Sequence, residues 1–462
     1  MSDLLEMTLC EAADAARAGQ VGAVELLEAA LAAVERHDGR VNAVIAIEPE
    51  RAMAEARALD ALPADRRGVL HGVPLAHKDM FHRAGEVSTY GSAARSTRRM
   101  QATAPLLTRL DGAGAVSFAR LNMAAFAMGP TGHNPDFSRC CNPFAPARIT
   151  GGSSSGSGAA VAARFAYGAL GSDTGGSVRL PAACCGVVGL KPTQGLLSLE
   201  GVMGLSESLD CPGPIARSSR DLARMMDVLD RPGHEAAVLQ DIRGLRLGLP
   251  TSYYCDDLHP EVRDNLDRAA AAFRALGATL VPVAVPDHSA YADLADAIWK
   301  PEAAALHLPA LQSGPGALPE QARARLMQGL ATSAVDYVRA RRLRSLALQD
   351  MLSGPLAACD ALLVPAMPRP VPLAAEVEAG SGDAMRHNLA AITAFTRPLN
   401  FLGLPGLVTP SGLDRDGVPL AIQLIAAPRQ ERLLLQLGHR FESETGFNRL
   451  RPDLLAWSAL FY

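Results

Sequence analysis

Apolar residues spaced three and four apart mark the opening of the chain. Leu26, Leu27, Ala30, Leu31 and Val34 share one face of a helix predicted over 23–35, which the turn signal His37-Asp38-Gly39 ends. Ahead of it, Thr8-Leu9-Cys10-Glu11 has the spacing of a capping box and starts a helix that ends near Gly19. A third helix is predicted over 51–59. From 69 to 230 the pattern changes. Short apolar runs at 74–76, 115–119 and 186–190 alternate with glycine-rich turns and with helical stretches at 159–165 and 217–229, the last entered through Ser218-Ser219. The alternation restarts near 245, with strands predicted at 245–249, 279–283, 361–365, 406–410 and 420–425. Helices are predicted at 260–276, 290–307, 320–331, 335–352 and 430–441. This alternation is that of an α/β fold. No internal repeat or long linker forces a cut, so a single domain is expected over 1–462. Its parts are N-terminal helices over 1–70, a core over 71–230, a variable part over 231–380 and a completing part over 381–462.

Composition narrows the partners. With 48% apolar residues, 20% charged residues and a net charge of −4 over 462 residues, the chain has enough apolar content to fold and no basic excess for nucleic acid. The first twenty residues carry acids where a signal peptide carries Lys or Arg, and the longest uncharged run, 398–413, is broken by Gly and Pro. A cytoplasmic protein without a membrane span is therefore expected. The eight cysteines include two adjacent pairs and no C-x-x-C, so reduced and mostly buried thiols are expected, with no metal site.

The candidate chemistry lies in ITGGSSSGSGAAVAA, residues 149–163. A flexible linker would separate two units, whereas this loop runs straight into an Ala-rich helix. A phosphate cradle would need Lys-Ser or Lys-Thr after the glycines, and none follows. Gly152-Ser153-Ser154-Ser155-Gly156 matches the string G-x-S-x-G, but the preceding Asn142-Pro143-Phe144-Ala145-Pro146 is no buried strand of the kind a nucleophile elbow requires. Serine hydroxyls are weak nucleophiles that need a base. Histidine is the usual one, and His71, His77, His82 and His133 share this half of the chain; a buried, neutral lysine can also serve. Lys78, which ends the apolar run of HGVPLAHKD, is the lysine placed for it. In GSDTGGSVRLPA, two glycines before Ser177 let consecutive amides converge beside a hydroxyl, as an oxyanion hole requires.

Taken in order, GVPLAHKDM, ITGGSSSGSGAAVAA, GSDTGGSVRLPAACCGVVGLKPT and SLDCPGPIARS resemble the amidase signature family of serine hydrolases, and the likeness extends to NFLGLPGLVTP and GVPLAIQLIA. The resemblance implies a large mixed, twisted β-sheet between layers of helices and a Ser–cis-Ser–Lys triad. Ser177 matches the nucleophile, Ser153 the bridging serine on a cis peptide after Gly152, and Lys78 the base. The amides of Thr174, Gly175, Gly176 and Ser177 match the oxyanion hole. Ser154 and Asp173 match supporting positions, and Asn122, Met128 and Gly129 a stretch that lines the family's substrate pocket. Arg179 reads as half of an ion pair. Two departures stand out: His77 precedes the lysine where an apolar residue is usual, and Ala125 stands where many relatives carry Glu.

The activity implied is hydrolysis of a carboxylic amide C–N bond through an acyl-enzyme, without cofactor, on a small-molecule amide. The implied assembly has no directly bound nucleic acid, no membrane, and at most a homodimer. The alternatives are the ammonia-releasing subunit of a glutamine-dependent amidotransferase acting on Glu- or Asp-tRNA, and a catalytically silent scaffold, against which the intact triad positions argue. The variable segment 290–380 is expected to shape the substrate pocket.

Overall fold

The computed structural model describes residues 2–378 and 383–454. The boundary drawn between 380 and 381 lies outside the described residues. Among the described residues, eleven strands form one sheet. In chain order they are β1 (Val44–Ile47), β2 (Pro74–Lys78), β3 (Val116–Leu121), β4 (Gly168–Asp173), β5 (Val188–Lys191) and β6 (Cys211–Ala216). The second half adds β7 (Arg246–Pro250), β8 (Thr279–Val283), β9 (Ala361–Pro365), β10 (Gly406–Leu413) and β11 (Pro419–Ile425). Their order across the sheet is β1-β3-β2-β4-β6-β5-β10-β11-β9-β7-β8. The sheet is mixed: β3, β2 and β4 run parallel, as do β9, β7 and β8, while the pairs from β4 through β6, β5, β10 and β11 to β9 are antiparallel.

Alternation along the strands feeds two cores. Leu75, Leu170, Ala216 and Leu407 join one cluster, with Leu9, Leu222 and Leu434 from helices. Their strand neighbours Ala76, Ala169, Ile215 and Val408 join another, with Leu27, Ala159 and Ala182. Successive residues of a strand point to opposite faces, so each face of the sheet is covered by its own helices. The helix Ser155–Ala162 and the helix Arg179–Cys185 are buried along their whole lengths.

Most predicted elements are present. The Thr8–Glu11 capping box forms, with Glu11 N donating to Thr8 Oγ1 at 3.2 Å and Thr8 N donating to Glu11 Oε2 at 2.8 Å. The second helix does not stop at Asp38-Gly39 but runs over Ala23–Val41 and ends at the left-handed Asn42. Asp38 acts one turn later than expected, accepting from Ala43 N at 2.7 Å and Val44 N at 3.3 Å as the chain leaves the helix. Three strands, β1, β4 and β6, go beyond the predicted set. GALGSD and CPGPIA lack β-branched runs, and prolines argue against a central strand. Here Pro212 and Pro214 nevertheless sit in the middle of the sheet, opposite Ser172 and Leu170.

Candidate active site

β2 and β4 are parallel neighbours, so their carboxyl ends open at one edge of the sheet, where α/β folds hold ligands. Lys78 is the last residue of β2 and is wholly buried. Its Nζ hydrogen-bonds Ser153 Oγ at 2.7 Å and Ser172 Oγ at 2.9 Å. Burial pulls its pKa down to about 7, against the opposing charges of Asp210 and Asp173. The flanking residues do other work. Asp79 accepts from Arg120 Nη1 at 3.2 Å and from Thr89 N at 3.0 Å. Among the described residues His77 has no hydrogen-bond partner on either ring nitrogen, and it meets Phe81 edge-on at 6.4 Å between centroids. Burial, then Arg83 and Arg120, hold its pKa well below the usual histidine value, so it packs as a neutral ring.

The Gly152–Ser153 peptide is cis. A Cβ on Gly152 would stand 2.5 Å from Gly129 O, a contact no larger residue tolerates. Ser153 is fully buried beside Lys78. Ser154 braces the loop against β4: its Oγ donates to Ser172 O at 3.2 Å and accepts from Ser172 N at 3.3 Å, and its amide donates to Ser177 O at 3.3 Å. It starts the helix Ser155–Ala162 without a side-chain cap.

Ser177 lies half-buried in the wall of a pocket that Met128, Gly129, Gly152, Thr174 and Gly175 also line. The loop before it is shaped by Asp173. Asp173 Oδ1 accepts from Gly176 N at 2.8 Å and from Asn400 Nδ2 at 2.9 Å, and Oδ2 accepts from Val178 N at 3.1 Å. Arg179, fully buried, donates to the same carboxylate from Nε and Nη2, each at 3.0 Å, and reaches Gln423 Oε1 at 2.7 Å. Burial works to raise the Asp173 pKa, but Arg179, then Lys191 and Asn400, hold it well below the carboxylate range. Because the Gly176 amide is spent on Asp173, the loop amides left beside the pocket are those of Thr174, Gly175 and Ser177. Among the described residues these three amides and Ser177 Oγ donate to no acceptor.

Lys78 and Ser153 are thus joined directly, whereas Ser177 meets the serine loop through its carbonyl and not through its hydroxyl. Asn122 is not among the described residues that line the pocket beside Ser177. Its Nδ2 donates to Asn42 O at 3.0 Å and Ser138 O at 3.3 Å, and its Oδ1 accepts from Met123 N at 2.8 Å, which ties three backbone segments together behind the site. Sequence reasoning missed Ser172, which lies inside GSDTGG. It also missed Asp210, which lies inside SLDCPGP and accepts from Thr174 Oγ1 at 2.5 Å and from Leu205 N at 2.8 Å. Burial raises the Asp210 pKa to about 6, with Thr174 and Lys78 among the groups opposing it. The pocket also holds Trp299, Arg325 and Arg397; the first two come from the segment 290–380. Among the described residues no cluster of His, Cys, Asp and Glu could hold a metal ion, and no helix is long and apolar enough to cross a membrane. Among the described residues no cysteine is in a disulfide.

Comparisons with known proteins bear on the family and the fold. The family model Amidase matches residues 25–435. The Glutamyl-tRNA(Gln) amidotransferase A-type subunit of Geobacter metallireducens is 34% identical, over 98% of this chain and 100% of its own length. A solved structure from a vestigial protein complex, bearing on the evolutionary origins of an s-triazine catabolic enzyme, superposes with a TM-score of 0.88 at 33% identity, covering 97% of this chain and 100% of that one. 6-Aminohexanoate cyclic dimer hydrolase with substrate also reaches a TM-score of 0.88, at 27% identity over 98% of this chain and 99% of that one. These relatives correct the expectation of a chain that meets only a small-molecule amide or at most its own copy. The curated relative is by name one subunit of an amidotransferase, and the first of the structures was solved as a protein complex. From the sheet order to the paired loops at its edge, and over nearly its whole length, the chain belongs to the amidase signature family.

Proposed function

We propose that this chain is the amide-cleaving component of a larger assembly, acting through Ser177, Ser153 and Lys78. The observation that carries the proposal is the buried Lys78, 2.7 Å from Ser153 and with a pKa of about 7, directly behind the pocket wall that holds Ser177. A lysine in that state is a base at neutral pH. Neutral Lys78 accepts the Ser153 proton while Ser153 takes the Ser177 proton, and Ser177 Oγ bonds to the amide carbonyl carbon. The carbonyl oxygen, now negative, is met by the amides of Thr174, Gly175 and Ser177. The proton returns along the same relay to the leaving nitrogen as the C–N bond breaks. Ammonia or an amine departs, and water then opens the acyl ester. This step requires the Ser177 hydroxyl to turn toward Ser153 when substrate is bound, as catalytic contacts often tighten only in the complex.

The name shared by the curated relatives supports glutamine as the amide and a tRNA-modifying partner as the consumer of the ammonia. A second reading, cleavage of some other amide, is supported by the pocket, whose charged lining residues are both arginines. A fluorophosphonate probe followed by peptide mass spectrometry tests the chemistry common to both. Labelling is expected at Ser177 in the native chain and is lost in Ser177→Ala. An unlabelled native chain, or labelling that survives Ser177→Ala, overturns the assignment.

A further inference from the structure

The pocket beside Ser177 has an unbalanced charge. Among the described residues that line it, two carry guanidinium groups, Arg325 and Arg397, and none is an acid. Arg397 opens the helix Arg397–Leu402, and its Cγ and Nε lie 3.7 Å from the point where a Cβ on Gly175 would stand, so the side chain lies along the loop that ends at Ser177. Its only anionic partner among the described residues is Asp296, at 3.2 Å from Nη1. Asp296 is already committed: it accepts from Trp299 Nε1 at 2.7 Å and from Lys300 Nζ at 2.8 Å. Burial would raise its pKa, but Arg397 and Lys300 keep it below the usual carboxylate value, so it stays an anion with three donors around it. Arg325, on the helix Glu320–Leu330, is half-buried, and among the described residues it makes no hydrogen bond and no ion pair. Its pKa is lowered by burial and by Arg397, with Asp296 opposing.

A guanidinium carries five donors in a fixed fork. Leaving one partly desolvated and unpartnered beside a second is costly unless a ligand supplies the missing acceptors. We infer that Arg325 and Arg397 form an anion subsite that selects an amide bearing a carboxylate, and that the pocket rejects an ammonium group on the same substrate. The inference rests on the reading of Ser177 as the nucleophile of an amide-cleaving enzyme, and it narrows the substrate class for that reading. A free amino acid amide such as glutamine carries the carboxylate but also an ammonium, for which the described lining side chains offer the neutral hydroxyls of Thr174, Ser177 and Thr393 and the Trp299 ring, beside two like charges. Among the described residues no acid lines the wall, and the acids close behind it are already engaged: Asp296 by Arg397, Trp299 and Lys300, Asp210 by Thr174 Oγ1 and Leu205 N, and Asp173 by Arg179 and Gly176 N. A monoamide of a dicarboxylic acid, or a carboxylated urea-like amide, fits the charge balance better.

Calorimetry on the Ser177→Ala chain reads this directly, because it needs binding and no turnover. Succinamate, succinamide and glutamine are the probes. Succinamate is expected to bind at least about tenfold more tightly than succinamide or glutamine. Arg325→Gln and Arg397→Gln, each combined with Ser177→Ala, are expected to weaken succinamate about tenfold or more and to leave succinamide within about twofold. Arg325→Lys, which keeps the charge but not the fork, is expected to recover part of the loss. Equal binding of succinamate and succinamide, or succinamate binding unmoved in both glutamine variants, overturns the subsite. Tighter binding of glutamine than of succinamate overturns the exclusion of ammonium. Fluorophosphonate labelling of the native chain is run alongside. Labelling at Ser177 with no anion preference sinks the subsite alone, while an anion preference without labelling sinks the catalytic reading and leaves the subsite standing.

Discussion

On the proposed relay, Lys78 sets the pH behaviour of the site. With a pKa pulled to about 7, it is protonated below neutrality and free to accept a proton above it. The relay needs the neutral form, so kcat/KM is expected to rise with pH through about 7 and then level off, as a steady-state pH profile would record. Asp210 moves that limb. Its negative charge favours the ammonium, so removing it in Asp210→Asn is expected to shift the limb to lower pH by about half a unit to one unit. An unmoved limb in a folded Asp210→Asn chain would show that Lys78 does not control it. Replacing the lysine by Met is expected to cost about 10²–10⁴-fold in kcat. The same change also bears on stability. The folded pKa of Lys78 lies below its unfolded value, so the unfolded chain binds the extra proton between about pH 7 and pH 10, and stability from this group rises with pH across that window. The apolar variant is therefore expected to gain more in chemical denaturation at about pH 6 than at about pH 9.

At the scale of elements, the site depends on how closely two loops approach. The segment Gly151–Ser154 runs against Gly129, and Gly152→Ala would bring a methyl group to 2.5 Å from the Gly129 carbonyl. That variant is expected to fold with β4 intact but to lose most labelling at Ser177, since Ser153 must move to relieve the contact; normal labelling rates would count against the arrangement. Asn122 offers the contrast. It is buried and joins backbone segments, so Asn122→Ala is expected to lower stability by about 1–3 kcal/mol in denaturant titration, with KM unchanged in the folded fraction. These two residues also mark how far the sequence is legible. Gly152, Ser153, Lys78 and Ser177 stand out because glycine pairs and a lysine at the end of an apolar run are local signals. Asn122 misleads because its partners, Asn42 and Ser138, are distant in sequence. Ser172 and Asp210 escape notice for a related reason: β4 and β6 carry glycine and proline where strands usually carry branched side chains, and the tertiary pairing overrides that preference. Arg325 gives no local signal, since an arginine in a polar helix reads as a solvated face.

Across the whole molecule, the Thr174–Ser177 loop is tied to residues near 400 and 420. Arg179 bonds Asp173 on one side and Gln423, Asn400 and the Thr396 carbonyl on the other, all in a buried network. Cutting such a pair leaves an uncompensated charge, so Arg179→Met is expected to cost about 3–5 kcal/mol in equilibrium unfolding and to abolish labelling at Ser177. The same network has a consequence for synthesis. Thr396, Asn400 and Gln423 leave the ribosome more than two hundred residues after Asp173, so the Thr174–Ser177 loop waits for the last strands before its partners exist. Until that stretch is made, the loop lacks the clamp that holds its shape.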